Sequence, residues 1–140
     1  MNNEKRKGDW VQTYKGKQFW PLDPRPEDVD IEDIAHSLSL TCRFNGHCSV
    51  FYSVAQHSVI VSKIVKPSET MAGLLHDGAE AYLGDIVRPV KRFLSGIKEI
   101  EKELERVIFQ HFGVASYDKE DISRADNIVL FTEMRDLMYE

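Results

Sequence analysis

The sequence predicts an all-α bundle of five to six helices preceded by an irregular or short-hairpin N-terminal arm. Three observations carry that expectation. Apolar residues recur at helical spacing in successive segments from Asp30 to the end of the chain, helix-start and helix-stop signals punctuate those segments, and the connections are short. At 140 residues, one core is expected, with residues 1–9 a flexible N-terminus and residues 10–140 a single domain.

The arm comes first. Trp10, Tyr14, Phe19 and Trp20 are interspersed with Gly16 and followed by Pro21, Pro24 and Pro26. Proline restricts the residue before it, so short extended segments fit better than helix. The arm reads as packing laid over a helical core, with Phe19 or Trp20 alternatively lining a pocket for a planar ligand.

Asp30 then offers an N-cap, and Ile31, Ile34, Ala35, Leu38 and Cys42 keep helical spacing. This first helix is expected to reach about Arg43 and to stop at Asn45-Gly46, with His36 a structural histidine. Ser53-Val54-Ala55-Gln56 reads as a capping box opening a second helix through Val65, stopped by Pro67. Its stripe contains Val54, Ile60, Val61 and Ile64, and His57 projects from that stripe rather than from the wet face.

Ser68 is expected to cap a third helix that carries Met71, Ala72, Leu74, Leu75 and Ala79 and delivers His76, Asp77 and Glu80 before Gly84-Asp85 breaks it. Asp77 and Glu80 share a face, and two like charges so placed repel unless a cation or proton lies beside them. A short helix follows over Arg88 to Leu94 with proline in its first turn, then an amphipathic helix over Ile97 to Phe112. The last helix opens near Asp118, places Ile122, Ala125, Val129 and Met134 on one side, and runs on without a capping glycine. Asp126 points from that stripe as well.

Composition narrows the function. Hydrophobic residues at 42% and charged residues at 29% fit a globular chain, and a net charge of -5 predicts no general affinity for nucleic acid polymers or anionic membranes. With neither a signal peptide nor a bilayer-length apolar run, a reduced, cytoplasmic protein is expected. Cys42 and Cys48 make an incomplete zinc site and read more simply as small buried hydrophobes.

His57, His76, Asp77 and Asp126 thus point inward from three helices. Burying them unpaired would cost several kcal/mol, which argues for a metal ion between them. Two imidazoles and two carboxylates suit Mn2+, Co2+, Fe2+, Ni2+ or Zn2+, with Mg2+ also admissible. Four protein ligands on an octahedral ion leave room for a substrate oxygen and for a water of lowered pKa, a pairing suited to hydrolysis of a phosphate ester. Glu80 is placed to orient or deprotonate that water, or to protonate the leaving oxygen. Lys91 and Arg88, just downstream of the acidic cluster, are cations available for a phosphate chain.

This H…HD…D pattern resembles that of the HD-domain metal-dependent phosphohydrolases over about Asp30 to Leu137. The run His76-Asp77-Gly78-Ala79-Glu80, Gly84-Asp85 and Pro89-Val90-Lys91 is similar to the bacterial 5'-deoxynucleotidase branch and its phage-encoded relatives, some of which are deoxynucleoside triphosphate triphosphohydrolases. The resemblance implies metal ligation by His57, His76, Asp77 and Asp126, and places Glu80 near the attacking water and Asp85 near the sugar. It further implies phosphate contact by Arg43 and Lys91, and discrimination at the sugar or base by Phe44, where relatives often carry Trp.

The expected activity is conversion of a dNMP to a deoxynucleoside and phosphate. The alternatives are a dNTP triphosphohydrolase releasing triphosphate and a non-catalytic metal- and nucleotide-binding sensor. The expected partner is a small-molecule nucleotide, and the aromatic arm is available to pack on a second copy of the chain.

Overall fold

The N-terminal arm forms a two-stranded antiparallel hairpin in the computed structural model, which describes residues 5–139. Strand β1 (Val11–Gln12) pairs with β2 (Gln18–Phe19), Val11 opposite Phe19 and Gln12 opposite Gln18. The turn closes through the Gly16 amide, which donates to the Thr13 carbonyl at 2.9 Å, with Gly16 at φ 81. Phe19 is fully buried and stacks on Tyr82 at 3.8 Å, so the arm is pinned to the helices by an aromatic pair. Of the segment expected to be flexible, residues 1–4 lie outside the described residues. Arg6 is held by Asp23 (3.0 Å) and Asp28 (3.1 Å), and its guanidinium covers the Trp20 ring at 4.3 Å.

Helix α1 (Ile31–Leu40) begins as expected, with Asp30 accepting the Glu32 amide at 2.9 Å. It stops at Leu40 instead of near Arg43. The Thr41 hydroxyl turns back to the Ser37 carbonyl (2.8 Å), and the chain pairs with the segment entering the next helix: Val54 N–H donates to Thr41 O (2.9 Å) and Arg43 N–H to Tyr52 O (2.8 Å). These backbone bonds replace the ones that helix continuation would have supplied.

Helix α2 (Val54–Ile64) carries the expected capping box. Gln56 N–H donates to Ser53 Oγ at 3.0 Å, and Ser53 N–H donates to Gln56 Oε1 at 2.8 Å. It packs against α1, α3 (Thr70–Leu75) and α7 (Lys119–Leu137), which makes it the central element. Val54 and Val61 join Leu38, Leu75, Ala125 and Val129 in the core, whereas Ile60 is 39% exposed and lies off the buried stripe.

The third predicted helix is two helices. A turn at Pro67–Glu69 leads into α3, residues 76–79 form tight turns, and α4 (Glu80–Leu83) resumes before Gly84 at φ 76. Helix α5 (Arg88–Lys91) is shorter than expected, while α6 (Ile97–His111) and α7 match their predicted starts. Asp118 caps α7 by accepting the Asp121 amide at 3.1 Å. The described chain is thus all-α apart from the hairpin. Among the described residues, no helix is long and apolar enough to cross a membrane.

Candidate metal centre

His57 leaves α2 into the core and is fully buried. A buried imidazole needs partners on both nitrogens, and it has them. Nδ1 lies 2.9 Å from Glu133 Oε1, and Nε2 lies 2.7 Å from Asp126 Oδ1 and 3.7 Å from Asp77 Oδ2. With Nδ1–H donating to Glu133, Nε2 is left to the two aspartates, to which it donates when protonated and beside which its lone pair can face a cation when it is not. His76 is arranged alike by different means, since Nδ1 lies 2.6 Å from the Gly73 carbonyl oxygen and donates to it. Nε2 then faces Asp77 Oδ2 (3.2 Å) and Asp126 Oδ1 (3.4 Å).

The break between α3 and α4 is part of this arrangement. In an unbroken helix, the Gly73 carbonyl would accept the Asp77 amide. Here the His76 ring takes that carbonyl, and Gly78 N–H donates to Leu75 O (2.8 Å) while Glu80 N–H donates to Asp77 O (3.0 Å). Tight i,i+3 turns therefore carry His76 and Asp77. A Cβ at Gly78 would sit 3.0 Å from the Leu75 carbonyl oxygen, so glycine fits this turn best.

One ligand atom each from His57, His76, Asp77 and Asp126 lies within 4.8 Å of the others. Donors at roughly 2.1 Å from one ion are about 3–4.2 Å apart, so the set is near the size an ion would impose. Two further observations favour a cation. His76 Nε2 is buried and, despite the nearby aspartates, lacks an aligned hydrogen-bond partner. The Asp77 and Asp126 carboxylates converge on the same imidazoles, a like-charge encounter that a positive ion relieves.

The electrostatics agree with the geometry. Burial disfavours the charged form of His76, but the adjoining Asp126 and Asp77 carboxylates outweigh it and push its pKa up to about 10. His57 is raised in the same way by Asp126 and Glu133 against the effect of burial. Burial alone would raise Asp126 and Asp77; contact with the two histidines holds both below the ordinary carboxylate range.

Glu80 behaves oppositely. Burial first, then the negative charges of Asp77 and Asp85, push its pKa up to about 8, and its Oε2 is buried without a hydrogen-bond partner. Asp85 is itself exposed.

The other residues singled out in the sequence lie around this cluster in different ways. Arg43 donates through one terminal nitrogen to Glu133 Oε1 at 2.9 Å, and its guanidinium lies 5.1 Å from the Phe44 ring centroid. Arg43 thus stands behind His57, linked through Glu133. Phe44 and Asn45 both adopt left-handed backbone (φ 56 and 52), which strains non-glycine residues and sharply reverses the chain after Arg43. Lys91 pairs with Glu101 at 2.5 Å and lines a small cavity with Asp77 and Glu80. Arg88 is exposed. Trp20 lies beneath Arg6 and lines neither cavity that borders the cluster. Cys42 and Cys48 are free thiols with sulfurs 3.5 Å apart, outside the His/Asp cluster.

Glu133 was not visible as a site residue in the sequence. It is only 4% exposed and bonds both His57 and Arg43 through Oε1, and those contacts hold its carboxyl below the usual range although burial opposes this. The signal was present: Ile122, Asp126, Val129 and Glu133 follow one another at intervals of four, three and four. Met134, expected on that stripe from its apolar side chain, is 45% exposed.

Fold and site together define an all-α protein with a buried His/Asp cluster able to bind a metal ion. The chain is 42% identical over 128 residues to the uncharacterized protein YfdR of Escherichia coli K12, covering 91% of this chain and 72% of that one, and it belongs to the same family. It is also 35% identical, over a 126-position alignment, to the uncharacterized protein RCAP_rcc00048 of Rhodobacter capsulatus, covering 83% of this chain and 64% of that one. No protein-family model matches the chain.

Proposed function

We propose that the protein is a metal-dependent phosphohydrolase of the HD-domain type, converting a deoxynucleoside monophosphate to deoxynucleoside and orthophosphate. The observation that carries this reading is the pair of imidazoles, each with Nδ1–H given away to Glu133 or Gly73 O and each presenting Nε2 beside Asp77 and Asp126. Histidines that merely fill a core do not require two converging carboxylates. A divalent ion held by His57, His76, Asp77 and Asp126 would supply Lewis-acid polarisation of a phosphoryl oxygen and a water of lowered pKa.

This chain's own residues account for the remainder. Glu80 is the proton-handling group, one helical turn from Asp77, with an unpartnered buried oxygen directed to no other side chain. Compensation of the Asp77 charge removes one cause of its raised pKa and readies it to accept a proton. Lys91, ion-paired with Glu101 at the edge of the same cavity, can turn its ammonium to a phosphate oxygen by exchanging that partner. Asp85 stands exposed beside Glu80, and its negative charge is one of those that raise the Glu80 pKa. Arg43 acts through Glu133 on His57, as a positioning residue.

The test is a screen of dNMPs, NMPs and dNTPs with Mn2+, Co2+, Zn2+ and Mg2+, read by the phosphate species released. Orthophosphate from dNMPs is expected, with loss of both bound metal and turnover in His76→Ala and Asp77→Asn. Triphosphate release from dNTPs, or turnover that survives in chelator-treated His76→Ala, overturns the proposal.

A further inference from the structure

Two cavities of very different size border the metal cluster, and they meet at His76 and Glu105. The smaller, about 80 Å3, is lined by Asp77, Glu80 and Lys91, among others. At roughly 30 Å3 per water, it has room for two or three waters or one phosphoryl group, and none for a nucleoside. The larger, about 760 Å3, opens between α6 and α7 with Asp126 in its wall. Small organic ligands occupy cavities of roughly 300–1,000 Å3, so only this one accommodates a nucleoside-sized leaving group.

The lining of the larger cavity suits such a group. Phe109, Val114 and Ile122 contribute apolar surface. Tyr117 is a fixed aromatic wall: its ring meets Phe109 edge-on at 4.8 Å and its hydroxyl donates to Glu105 at 2.8 Å. Gln110 and Ser123 add hydrogen-bonding groups for the edge of a planar ring. Lys102 and Lys119 add cations to a lining that also holds Glu105 and Asp126, and the Lys119 ammonium lies 6.0 Å from the Tyr117 ring centroid.

We infer that the α6–α7 cavity is the leaving-group site, holding the planar, nucleoside-like part of the substrate against Tyr117, while the small cavity beside Glu80 holds water. Attack and departure then occur on opposite sides of the phosphoryl group, as in-line displacement requires. Base recognition accordingly belongs to Tyr117, Gln110 and Ser123, not to Trp20 or Phe44. The inference rests on the phosphohydrolase reading for the chemistry and on cavity size for the location.

The test uses isotopically labelled, Zn2+-loaded full chain titrated with 2'-deoxyadenosine, a product nucleoside that cannot turn over. Saturable amide shifts at Gln110, Tyr117 and Ser123 are expected, and Ser123→Trp, which fills the cavity from an exposed position, should weaken binding at least tenfold and raise KM for dAMP similarly. Shifts centred on Phe44 and Asp85, or no shifts at millimolar nucleoside, overturn the assignment. Orthophosphate release from dAMP with the nucleoside bound at Phe44 refutes the cavity and spares the activity. Nucleoside bound at Tyr117 with no phosphate released from any ester refutes the activity and spares the cavity.

Discussion

Replacing Glu133 by glutamine tests how the cluster is held in place. Glu133 Oε1 accepts from His57 Nδ1 and from Arg43, both at 2.9 Å, at a site where Glu133 is 4% and the Arg43 side chain 15% exposed. The amide keeps the side chain's shape, and its carbonyl oxygen, with two lone pairs, can still accept both hydrogen bonds. It cannot balance the arginine charge, and both bonds lose their charge assistance. Carboxylates that orient a ligating histidine typically contribute 10- to 100-fold to metal affinity, or about 1.4–2.8 kcal/mol. Removing one partner of a buried pair costs about 3–5 kcal/mol, and the retained hydrogen bonds together with the partial exposure of Arg43 place Glu133→Gln nearer about 2–3 kcal/mol.

Calorimetric Zn2+ titration and thermal unfolding of the metal-free protein read the two effects separately. Adding Arg43→Met removes the stranded cation, so the double variant should recover much of the stability while metal affinity stays low. Unchanged Zn2+ affinity in a folded Glu133→Gln protein refutes the orienting role. Recovery of both quantities together in the double variant would show that Glu133 serves only to neutralise Arg43.

Two other perturbations have defined outcomes. In the metal-free protein, the Asp126 and Asp77 carboxylates outweigh burial and push His76 up to about 10, against 6.5 for a free imidazole, so its stabilisation is complete below pH 6.5 and is lost as pH rises towards 10. Thermal unfolding across that window should show falling stability, whereas Zn2+ affinity should rise with pH because ligating imidazoles must be neutral; a metal-free protein whose stability is flat from pH 6.5 to 10 contradicts the pairing. Gly78→Ala places a Cβ 3.0 Å from the Leu75 carbonyl and should cost about 1–2 kcal/mol while weakening metal binding through the displaced His76-Asp77 turn, measured by thermal unfolding and metal titration; a neutral effect on both would mean that the turn is not tightly constrained.

The cluster was legible in the sequence because each ligand breaks an apolar pattern. His57 and Asp126 sit on the buried stripes of helices whose caps, Ser53-Gln56 and Asp118, are local signals that the structure follows. What escaped was set by tertiary partners. Thr41 looks like one more helical residue until Val54 and Tyr52 arrive to bond that stretch of backbone. The apolar run from Met71 to Ala79 suggests one helix, but the His76 ring competes for the Gly73 carbonyl and splits it. Glu133 was passed over because a carboxylate earns a buried position only through His57 and Arg43, which lie 76 and 90 positions away in the chain. Trp20 lines no pocket at the cluster because Arg6, from the segment expected to be flexible, covers its ring face.

The contact between His57 and Asp126 joins positions 69 apart in sequence. In polymer terms, an ion gripping both is a removable crosslink that closes a long loop, and closure of a loop this long by a covalent bridge is worth about 4 kcal/mol in lost denatured-state entropy. Helix α7 brings Asp126 to the cluster, so its docking completes the crosslink. An ion bound there would lengthen the time for which α7 resists opening to proteases.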